Sequence, residues 1–368
     1  MRGSNAKSTT EKSKSNSVGR EKNKRAYRSI LINHMLKFRG ERAPTLNQKL
    51  NEELLLSYNK IKLTDTEIKT RNKVFELFKK VIEDALDCQV ESHGSFRTGT
   101  MVYGSDIDIT VLMNKETIKK PRSLSYDASY KPYSNQILAK IANIIESNNI
   151  ITGNIIHIKN ARVPVLKCVD KIFNCKVDIV IDKYDSIKSA NFVIKQLEER
   201  PYLKYLATLL KYFLKRRHLS EAIRGGLCSY AQFLLILNFV QLHPLIQNGN
   251  IRVEDNLGTI FMDFFQLYGL EFPFERTIIS VLETRYKPNR DSQINIEDPC
   301  NQGHNVAAGC TALPMIREIF SFSYKIMAAA FAEKVATNKA IGELWLRIDE
   351  QELASRNKLN KVKNENKP

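Results

Sequence analysis

The chain has 368 residues, of which 43% are hydrophobic, and this is enough for two domains with sizeable cores. Its formal net charge of +17 implies an anionic partner, with nucleic acid favoured over a membrane surface, although charge alone does not choose between them. The sequence contains no apolar run of 18 residues and no signal peptide, so we expect no membrane-spanning helix.

The six cysteines are scattered along the chain, and no two of them form a C-x-x-C pair. This spacing argues against a zinc finger or a zinc knuckle. We therefore expect reduced thiols in an intracellular protein.

Both ends of the chain are basic and poor in apolar residues. We expect residues 1–40 to form a disordered basic tail and residues 346–368 to form a second basic tail. The cluster Arg-Glu-Lys-Asn-Lys-Arg at residues 20–25 fits a nuclear-import signal or an arm that tethers RNA, and equally a solvating segment without a specific role.

Helical periodicity dominates residues 45–90 and nearly all of the chain after residue 199. In the first region, Thr64 followed by Glu67 predicts an N-cap with a capping box. In the second region, an apolar stripe runs from Leu203 to Leu214. The helices predicted after it lie at 230–241, 256–268 and 313–335.

The segment between these helical regions has a different pattern. Apolar and polar residues alternate at 106–111, 162–167 and 176–181, which predicts three strands. The residues around Asp170 and Lys171 suit a hairpin turn, and a basic loop at 114–135 precedes a helix at 136–148. We therefore predict an α+β fold: a mixed-sheet domain at 65–190, a helical domain at 191–345, and a helical segment at 41–64 that packs with the second domain.

Asp106 and Asp108 are two residues apart on a predicted strand, so their side chains lie on the same face. Two adjacent carboxylates repel each other unless a cation joins them, and phosphoryl-transfer enzymes commonly use a pair of divalent metal ions about 3.5–4 Å apart. Oxygen ligands and substrate phosphates suit Mg²⁺. Asp178, on a second strand, can supply a third carboxylate that holds metal and activates an incoming hydroxyl.

Gly94 and Ser95 precede this pair, in a turn that lets backbone N–H groups approach phosphate oxygens. Neither a Gly-Ser pair nor an Asp-x-Asp pair is specific alone, because loops and strand edges often carry both. The combination, with a later strand aspartate, is far more specific.

This combination resembles the DNA polymerase β-like nucleotidyltransferase superfamily, and the resemblance extends over about residues 46–335. The segment 63–72 looks like the entry helix of polymerase-sigma-type enzymes. The segments 255–258 and 264–269 are similar to the poly(A) polymerases of the nuclear RNA-surveillance (TRAMP) complex. The segment 296–299 looks like the start of their nucleotide-recognition motif, which we place at 294–310.

The resemblance implies a nucleotidyltransferase catalytic domain at 65–190 and a helical central, poly(A) polymerase-associated domain at 191–345, with the active site in the cleft between them. It implies that Asp106, Asp108 and Asp178 are the catalytic residues and bind two Mg²⁺ ions, with Mn²⁺ as a possible substitute. It also implies that Gly94 and Ser95 contact the triphosphate and that Asn191 contacts the ribose.

Lys211 and Lys215 are four residues apart, so they project from one helix face. Two ammonium groups there can neutralise β- and γ-phosphates, whereas the alternative is a solvated helix face. By resemblance, Ser229 binds a phosphate and Tyr230 stacks on the base. For Tyr230 the alternative is a core tyrosine with a satisfied hydroxyl.

Asp298 and His304 lie in the predicted nucleotide-recognition motif. Surveillance poly(A) polymerases usually carry Asn at the position of His304, whereas terminal uridylyltransferases often carry His. A histidine there can hydrogen-bond O4 of uracil. The resemblance of the rest of the chain favours ATP, and UTP stays open as the alternative.

The leading hypothesis is therefore addition of AMP from ATP to RNA 3′ ends, with terminal uridylyl transfer from UTP as the alternative. A third hypothesis is a catalytically inactive scaffold that binds RNA. The resemblance also implies a zinc-knuckle RNA-binding subunit and an RNA helicase as partners, and a nuclear location with a cytoplasmic one as the alternative.

Overall fold

The computed structural model describes residues 44–114, 130–283, 285–291, 293–332, 346–354 and 356. The predicted tail at 1–40, most of the predicted loop at 114–135, and residues 357–368 lie outside the described residues.

Shorter turns connect the α-helices of the described chain, and the helix at 184–199 was not among the predicted elements. The α-helices are α1 (Pro44–Ile61), α2 (Asp65–Ala85), α3 (Gly94–Thr98), α4 (Tyr130–Ser147), α5 (Tyr184–Glu199), α6 (Leu203–Lys215), α7 (Ser229–Leu242), α8 (Pro244–Gln247), α9 (Leu257–Gln266) and α10 (Leu313–Ala332). The strands are β1 (Cys88–Ser92), β2 (Ile107–Met113), β3 (Ile151–Ile158), β4 (Val165–Asp170), β5 (Lys176–Ile181), β6 (Thr277–Ser280), β7 (Arg285–Pro288) and β8 (Asn295–Ile296).

The first five strands form one mixed sheet in the order β1-β2-β5-β4-β3, in which β2 and β5 are parallel and the other pairs are antiparallel. Helices α2 and α4 cover one face of this sheet. Val74 and Phe78 from α2 and Ile137 and Ile141 from α4 pack there against the buried side chains of the strands. The α+β prediction is confirmed.

The capping box predicted at the start of α2 is present. The backbone N–H of Glu67 donates to Thr64 Oγ1 at 3.3 Å, and the backbone N–H of Thr64 donates to Glu67 Oε2 at 2.8 Å. These reciprocal bonds satisfy backbone groups that have no partner in a helix end.

Some predicted boundaries were wrong. Residues 88–90, predicted as helical, belong to β1, because Val90 pairs with Val111 of β2 and is buried in the sheet. The predicted strand at 162–167 begins at Val165, after Pro164, which has no N–H to donate to a ladder. Helix α4 begins six residues before the predicted start, and there the hydroxyl of Tyr130 donates to the Ile181 carbonyl at 2.7 Å.

Strand β3 and the small sheet β7-β6-β8 were not predicted. Gly153 and Asn154 interrupt the alternation of β3, and the pairing of β3 with β4 shifts register between Thr152 and Ile156. Strand β8 has only two residues, which is too short for a periodic pattern to be visible in the sequence.

The remaining helices other than α3 form a second core, to which α1 contributes Leu50, Leu54 and Tyr58. Asn51 Oδ1 accepts a hydrogen bond of 2.8 Å from the backbone N–H of Leu257 at the start of α9. Helix α1 therefore lies in the helical domain, although its sequence precedes the catalytic domain. None of the described helices combines the length and apolarity that a bilayer crossing requires.

The prediction of a basic tail from residue 346 onward was wrong for the described part of that segment. Leu346 is fully buried in the helical core, and Arg356 is 4% exposed. Arg356 donates to both carboxylate oxygens of Glu67, and this pairing offsets the cost of burying its charge. The lysine-rich composition of the surrounding residues concealed these two contacts.

Candidate active site

Three carboxylates lie on one face of the catalytic sheet. Asp108 on β2 is in register with Asp178 on the parallel strand β5, and Asp106 precedes β2 two residues before Asp108. Residues in register on neighbouring strands point to the same face, as do residues two apart. Asp178 in turn pairs with Lys167 on β4, and the Lys167 ammonium forms an ion pair with its carboxylate.

Burial and the nearby carboxylates make it harder for Asp108 and Asp178 to ionise. The pKa of Asp108 is raised to about 7, first by burial and then by the charge of Asp178, with Asp106 adding to the rise and Lys211 and Lys167 opposing it. Burial also raises the pKa of Asp178, against the opposing effect of Lys167. Neighbouring carboxylates that resist ionisation in this way are stabilised by additional positive charge.

The donor set fits a divalent cation that is shared with a substrate. Carboxylate oxygens are the ligands that Mg²⁺ prefers, and Mg²⁺ is usually held by one or two carboxylates together with substrate phosphates. No three His, Cys, Asp or Glu side chains form a ready ligand cluster within the described ranges. Asp178 is paired with the Lys167 ammonium instead.

Gly94 lies directly against Asp108. It has a φ of +60°, and a Cβ at this position would overlap the Asp108 carboxylate. The backbone N–H of the preceding His93 donates to the Asp108 carbonyl at 3.0 Å. A residue without a side chain is therefore needed to bring the turn before α3 onto the carboxylates.

A cavity of about 300 Å³ opens between the two domains. The catalytic domain lines it with residues of α3 and α5, and the helical domain lines it with residues of α6, α7 and the 298–306 loop. Seven of the predicted site residues line this cavity: Gly94, Ser95, Lys211, Ser229, Tyr230, Asp298 and His304.

Lys211 and Lys215 project toward the catalytic domain rather than into solvent. Burial lowers the pKa of Lys211 to about 8, although the negative charge of Asp108 partly opposes this effect. Lys215 does not line the cavity, and its ammonium donates to the Tyr103 carbonyl at 3.0 Å. The alternative of a solvated helix face therefore fails for both lysines.

Asn191 also lies outside the cavity lining. Its side-chain oxygen accepts a hydrogen bond of 3.1 Å from Arg97 Nε, and Arg97 forms an ion pair of 2.8 Å with Glu91. In this arrangement Asn191 connects α5 to α3 at the edge of the site.

Asp298 organises the far end of the cavity. Its Oδ1 accepts hydrogen bonds from the Tyr230 hydroxyl at 3.0 Å and from the backbone N–H of Cys300 at 2.9 Å. Its Oδ2 lies 3.3 Å from Nδ1 of His304. The aspartate therefore holds both the aromatic ring and the histidine that the sequence singled out, and it is itself 5% exposed.

Lys183 and Ser189 also line the cavity, and the sequence reasoning did not select them. Lys183 follows the carboxyl end of β5, which is a position that signals binding residues in parallel sheets. Burial lowers its pKa. His93 lines the cavity too; burial lowers its pKa to about 4, and its buried Nε2 has no hydrogen-bond partner in the described chain.

Comparison with known proteins agrees with this geometry. Residues 50–194 match the family model "Poly(A) RNA polymerase, mitochondrial-like, central palm domain", and residues 256–304 match the model "Cid1 family poly A polymerase". Both models describe poly(A) polymerases, and the chain resembles these enzymes over the two matched segments. These segments carry most of the cavity lining described above, and the second includes both Asp298 and His304.

Curated poly(A) RNA polymerases are similar to the chain along most of its length. The chain is 26% identical over 295 residues to Poly(A) RNA polymerase CID14 of Cryptococcus neoformans, which covers 77% of this chain and 37% of the relative. It is 29% identical over 303 residues to Poly(A) RNA polymerase gld-4 of Caenorhabditis elegans, which covers 77% of this chain and 34% of the relative. The chain thus spans little more than a third of the length of each.

Solved structures share the fold of this chain. The polymerase core of TRAMP, an RNA surveillance complex, has a TM-score of 0.71 at 22% identity, over 82% of this chain and 95% of that chain. The Cid1 poly(U) polymerase has a TM-score of 0.60 at 19% identity, over 79% of this chain and 96% of that chain.

Proposed function

We propose that the chain adds AMP units from ATP to RNA 3′ ends without a template and releases pyrophosphate. The observation that carries this proposal is the register of Asp108 and Asp178 beside a cavity that also exposes Lys211 and Tyr230. The names of the two curated relatives, both poly(A) RNA polymerases, support the same activity.

Different residues in and around the cavity bind different parts of the nucleoside triphosphate. Tyr230 stacks on the base, and Asp298 keeps its ring in place through the hydroxyl. Lys211, Ser95 and Ser229 bind the triphosphate from the cavity wall, and Lys215 adds positive charge from outside the lining. The two ammonium groups offset the charge of the triphosphate in a partly buried site, where such interactions are stronger than in water. Asn191 contacts the ribose once its bond with Arg97 rearranges.

Asp106, Asp108 and Asp178 would hold two Mg²⁺ ions, with Mn²⁺ as a substitute, and such ions would supply charge stabilisation at the α-phosphate and the leaving pyrophosphate. Asp178 lies on the side of the group toward β4, where the 3′-hydroxyl of the acceptor approaches for in-line attack. The residues of this chain contribute mainly position and electrostatic stabilisation.

The choice of base is proposed as adenine, with uracil as the second candidate. The observation that favours uracil is His304, whose ring lies beside Asp298 at the base end of the cavity. The observation that favours adenine is the match with curated poly(A) RNA polymerases.

The test is a tailing assay in which the purified chain receives an RNA primer and each of the four nucleotides separately. We expect extension mainly with ATP, and we expect Asp106→Ala to abolish extension while the variant keeps the circular-dichroism spectrum and melting temperature of the wild type. Full extension by a folded Asp106→Ala variant would contradict the site assignment. Extension mainly with UTP would replace the first candidate with the second.

An inactive scaffold is the competing function, and one relative makes it concrete. A Drosophila melanogaster relative that is 26% identical over 273 residues carries the word "inactive" in its name. Because this chain has Asp108 and Asp178 in register and Asp106 two residues before Asp108, we propose catalysis instead. Absence of extension with Mg²⁺ and with Mn²⁺, alongside retained RNA binding, would support the scaffold.

We further propose a nuclear location and a role in RNA surveillance with a zinc-knuckle RNA-binding subunit and an RNA helicase. The similarity to the TRAMP polymerase core supports this proposal. Copurification of a tagged chain from nuclear extract with such a subunit tests it, and recovery of the chain only from cytoplasm would contradict the proposed location.

A further inference from the structure

The catalytic sheet leaves part of one face open beside the carboxylates. Helices α2 and α4 cover the opposite face, where Leu166, Cys168 and Val177 are buried. On the open face, Val165, Lys167 and Val169 on β4 are partly exposed and Lys176 on β5 is exposed, whereas Val180 on β5 is buried. We call five residues of this face the acceptor platform: Ile156, Val165, Lys167, Val169 and Lys176.

One row of residues crosses the sheet from the catalytic carboxylates to the edge strand. Asp108 is in register with Asp178, Asp178 with Lys167, and Lys167 with Ile156. Ile156 lies two strands from Asp178, about 10 Å away at the usual strand spacing. Its side chain is 60% exposed, which is unusual for an isoleucine in the middle of a strand.

Positive charge surrounds this row. The Lys167 ammonium is bound to Asp178, and Lys176, two residues before Asp178 on β5, is exposed on the same face. The hairpin between β3 and β4 adds the exposed side chains of Lys159 and Arg162. The only acid of β4 is Asp170, which is buried at the end of the strand. Its carboxylate accepts hydrogen bonds from backbone N–H groups of the following turn, so it does not offset this charge.

A single-stranded RNA end matches these features. Ammonium groups attract phosphates, and exposed aliphatic side chains offer a surface to the faces of unpaired bases. The platform also ends at Asp178, beside which an acceptor 3′-hydroxyl must lie for nucleotidyl transfer. We infer that the acceptor platform binds the 3′-terminal nucleotides of the RNA acceptor. This inference rests on the proposed function, which requires the RNA 3′ end to lie beside Asp178. Its test measures RNA binding and does not depend on catalysis.

Binding of a 5′-fluorescein-labelled oligoadenylate, measured by anisotropy without nucleotide and in the presence of EDTA, tests the platform directly. We expect Ile156→Asp and Lys176→Glu each to weaken RNA binding about tenfold, because each removes one contact and adds a negative charge. The matched control is Ile172→Asp: Ile172 is 65% exposed in the turn after β4 but lies outside the platform, so its RNA dissociation constant should stay within twofold.

The salt dependence of RNA binding separates the electrostatic contribution of Lys176 from the apolar contact of Ile156. Lys176→Ala should reduce the slope of log binding constant against log salt by about 0.7, the value for one phosphate contact with a single strand. Ile156→Ala should weaken binding and leave this slope unchanged. An unchanged RNA dissociation constant in both Ile156→Asp and Lys176→Glu, with the variants folded as judged by melting temperature, would overturn the platform.

A photo-crosslinking amino acid at position 156 locates the RNA on the full chain. We expect crosslinks to the last nucleotides of the RNA, and none from the same probe at position 172. Crosslinks only to the RNA 5′ region, to another protein or to another segment of this chain would overturn the inference. If the wild-type chain fails to extend RNA with any of the four nucleotides, the proposed function fails. If it extends RNA but the platform variants bind RNA as tightly as the wild type, only the platform is overturned.

Discussion

Arg356 donates two hydrogen bonds to the carboxylate of Glu67, although 289 residues separate them in the sequence. The same guanidinium donates to the carbonyls of Lys60 and Lys62, which lie at the junction of α1 and α2. It also lies 5.4 Å from the ring centroid of Tyr103, three residues before Asp106. The segment that carries Arg356 therefore joins the two domains beside the residues that precede Asp106.

Removal of this guanidinium should destabilise the chain strongly. Both side chains are less than 10% exposed, so Arg356→Ala leaves a buried carboxylate without its partner, at a cost of about 3–5 kcal/mol. Urea denaturation measures this loss. The control is Arg317→Ala, which removes a partly exposed ion pair with Glu275 and should cost about 0–1 kcal/mol. Equal losses for the two variants would contradict a special role for Arg356.

The same pair predicts how stability depends on acid. Burial alone raises the pKa of Glu67, but the hydrogen bonds and charge of Arg356 and the bond from Thr64 outweigh it and lower the pKa below the ordinary value. A carboxyl whose pKa is lower in the folded state stabilises the fold above its unfolded pKa, and this contribution is lost as pH falls through the folded pKa. The wild type should therefore lose stability below about pH 4.3.

Glu67→Gln serves as the comparison in that experiment, because it keeps the shape and removes the titration. It should be less stable than the wild type at pH 7, and the difference in urea midpoint should shrink as the pH falls. A difference that stays constant from neutral to acid pH would show that Glu67 contributes no linked proton.

Gly94→Ala should reduce tailing activity by at least about 100-fold, because the added Cβ displaces the Asp108 carboxylate and misplaced catalytic groups cost factors of this size. Gly153→Ala is a matched control, since Gly153 has a φ of +70° but has no atom within 4 Å of an added Cβ. Both variants carry backbone strain, so both should melt earlier, whereas only Gly94→Ala should lose turnover. Equal tailing activities of the two variants would contradict the placement of Gly94 in the active site.

His304→Asn should shift nucleotide preference toward ATP if the histidine reads uracil. The measurement is the ratio of ATP to UTP incorporation under competition, and a shift of about 10-fold corresponds to the loss of one specific hydrogen bond. His157→Asn, on β3 and remote from the cavity lining, controls for loss of a partly exposed histidine. An unchanged ratio in His304→Asn would exclude His304 as a base selector.

Much of the site was predictable because its signals are local. The spacing of Asp106 and Asp108 places them on one face of any strand, and the capping box at Thr64 and Glu67 spans a single helical turn. Lys183 and Ser189 were missed because nothing in their immediate neighbours distinguishes them from other polar residues. Strand β3 was missed because Gly153 and a register shift obscure its alternation.

The sequence by itself determined which residue types carry the chemistry and in which elements they lie, because strand and helix periodicities depend only on neighbouring positions. The tertiary structure decided how the predicted third carboxylate reaches Asp108. Asp178 does so because β2 and β5 pair in parallel, while Asp170 and Asp182 satisfy buried backbone N–H groups. The tertiary structure also decided that Arg356 reaches Glu67, since contacts between distant segments depend on how whole elements pack.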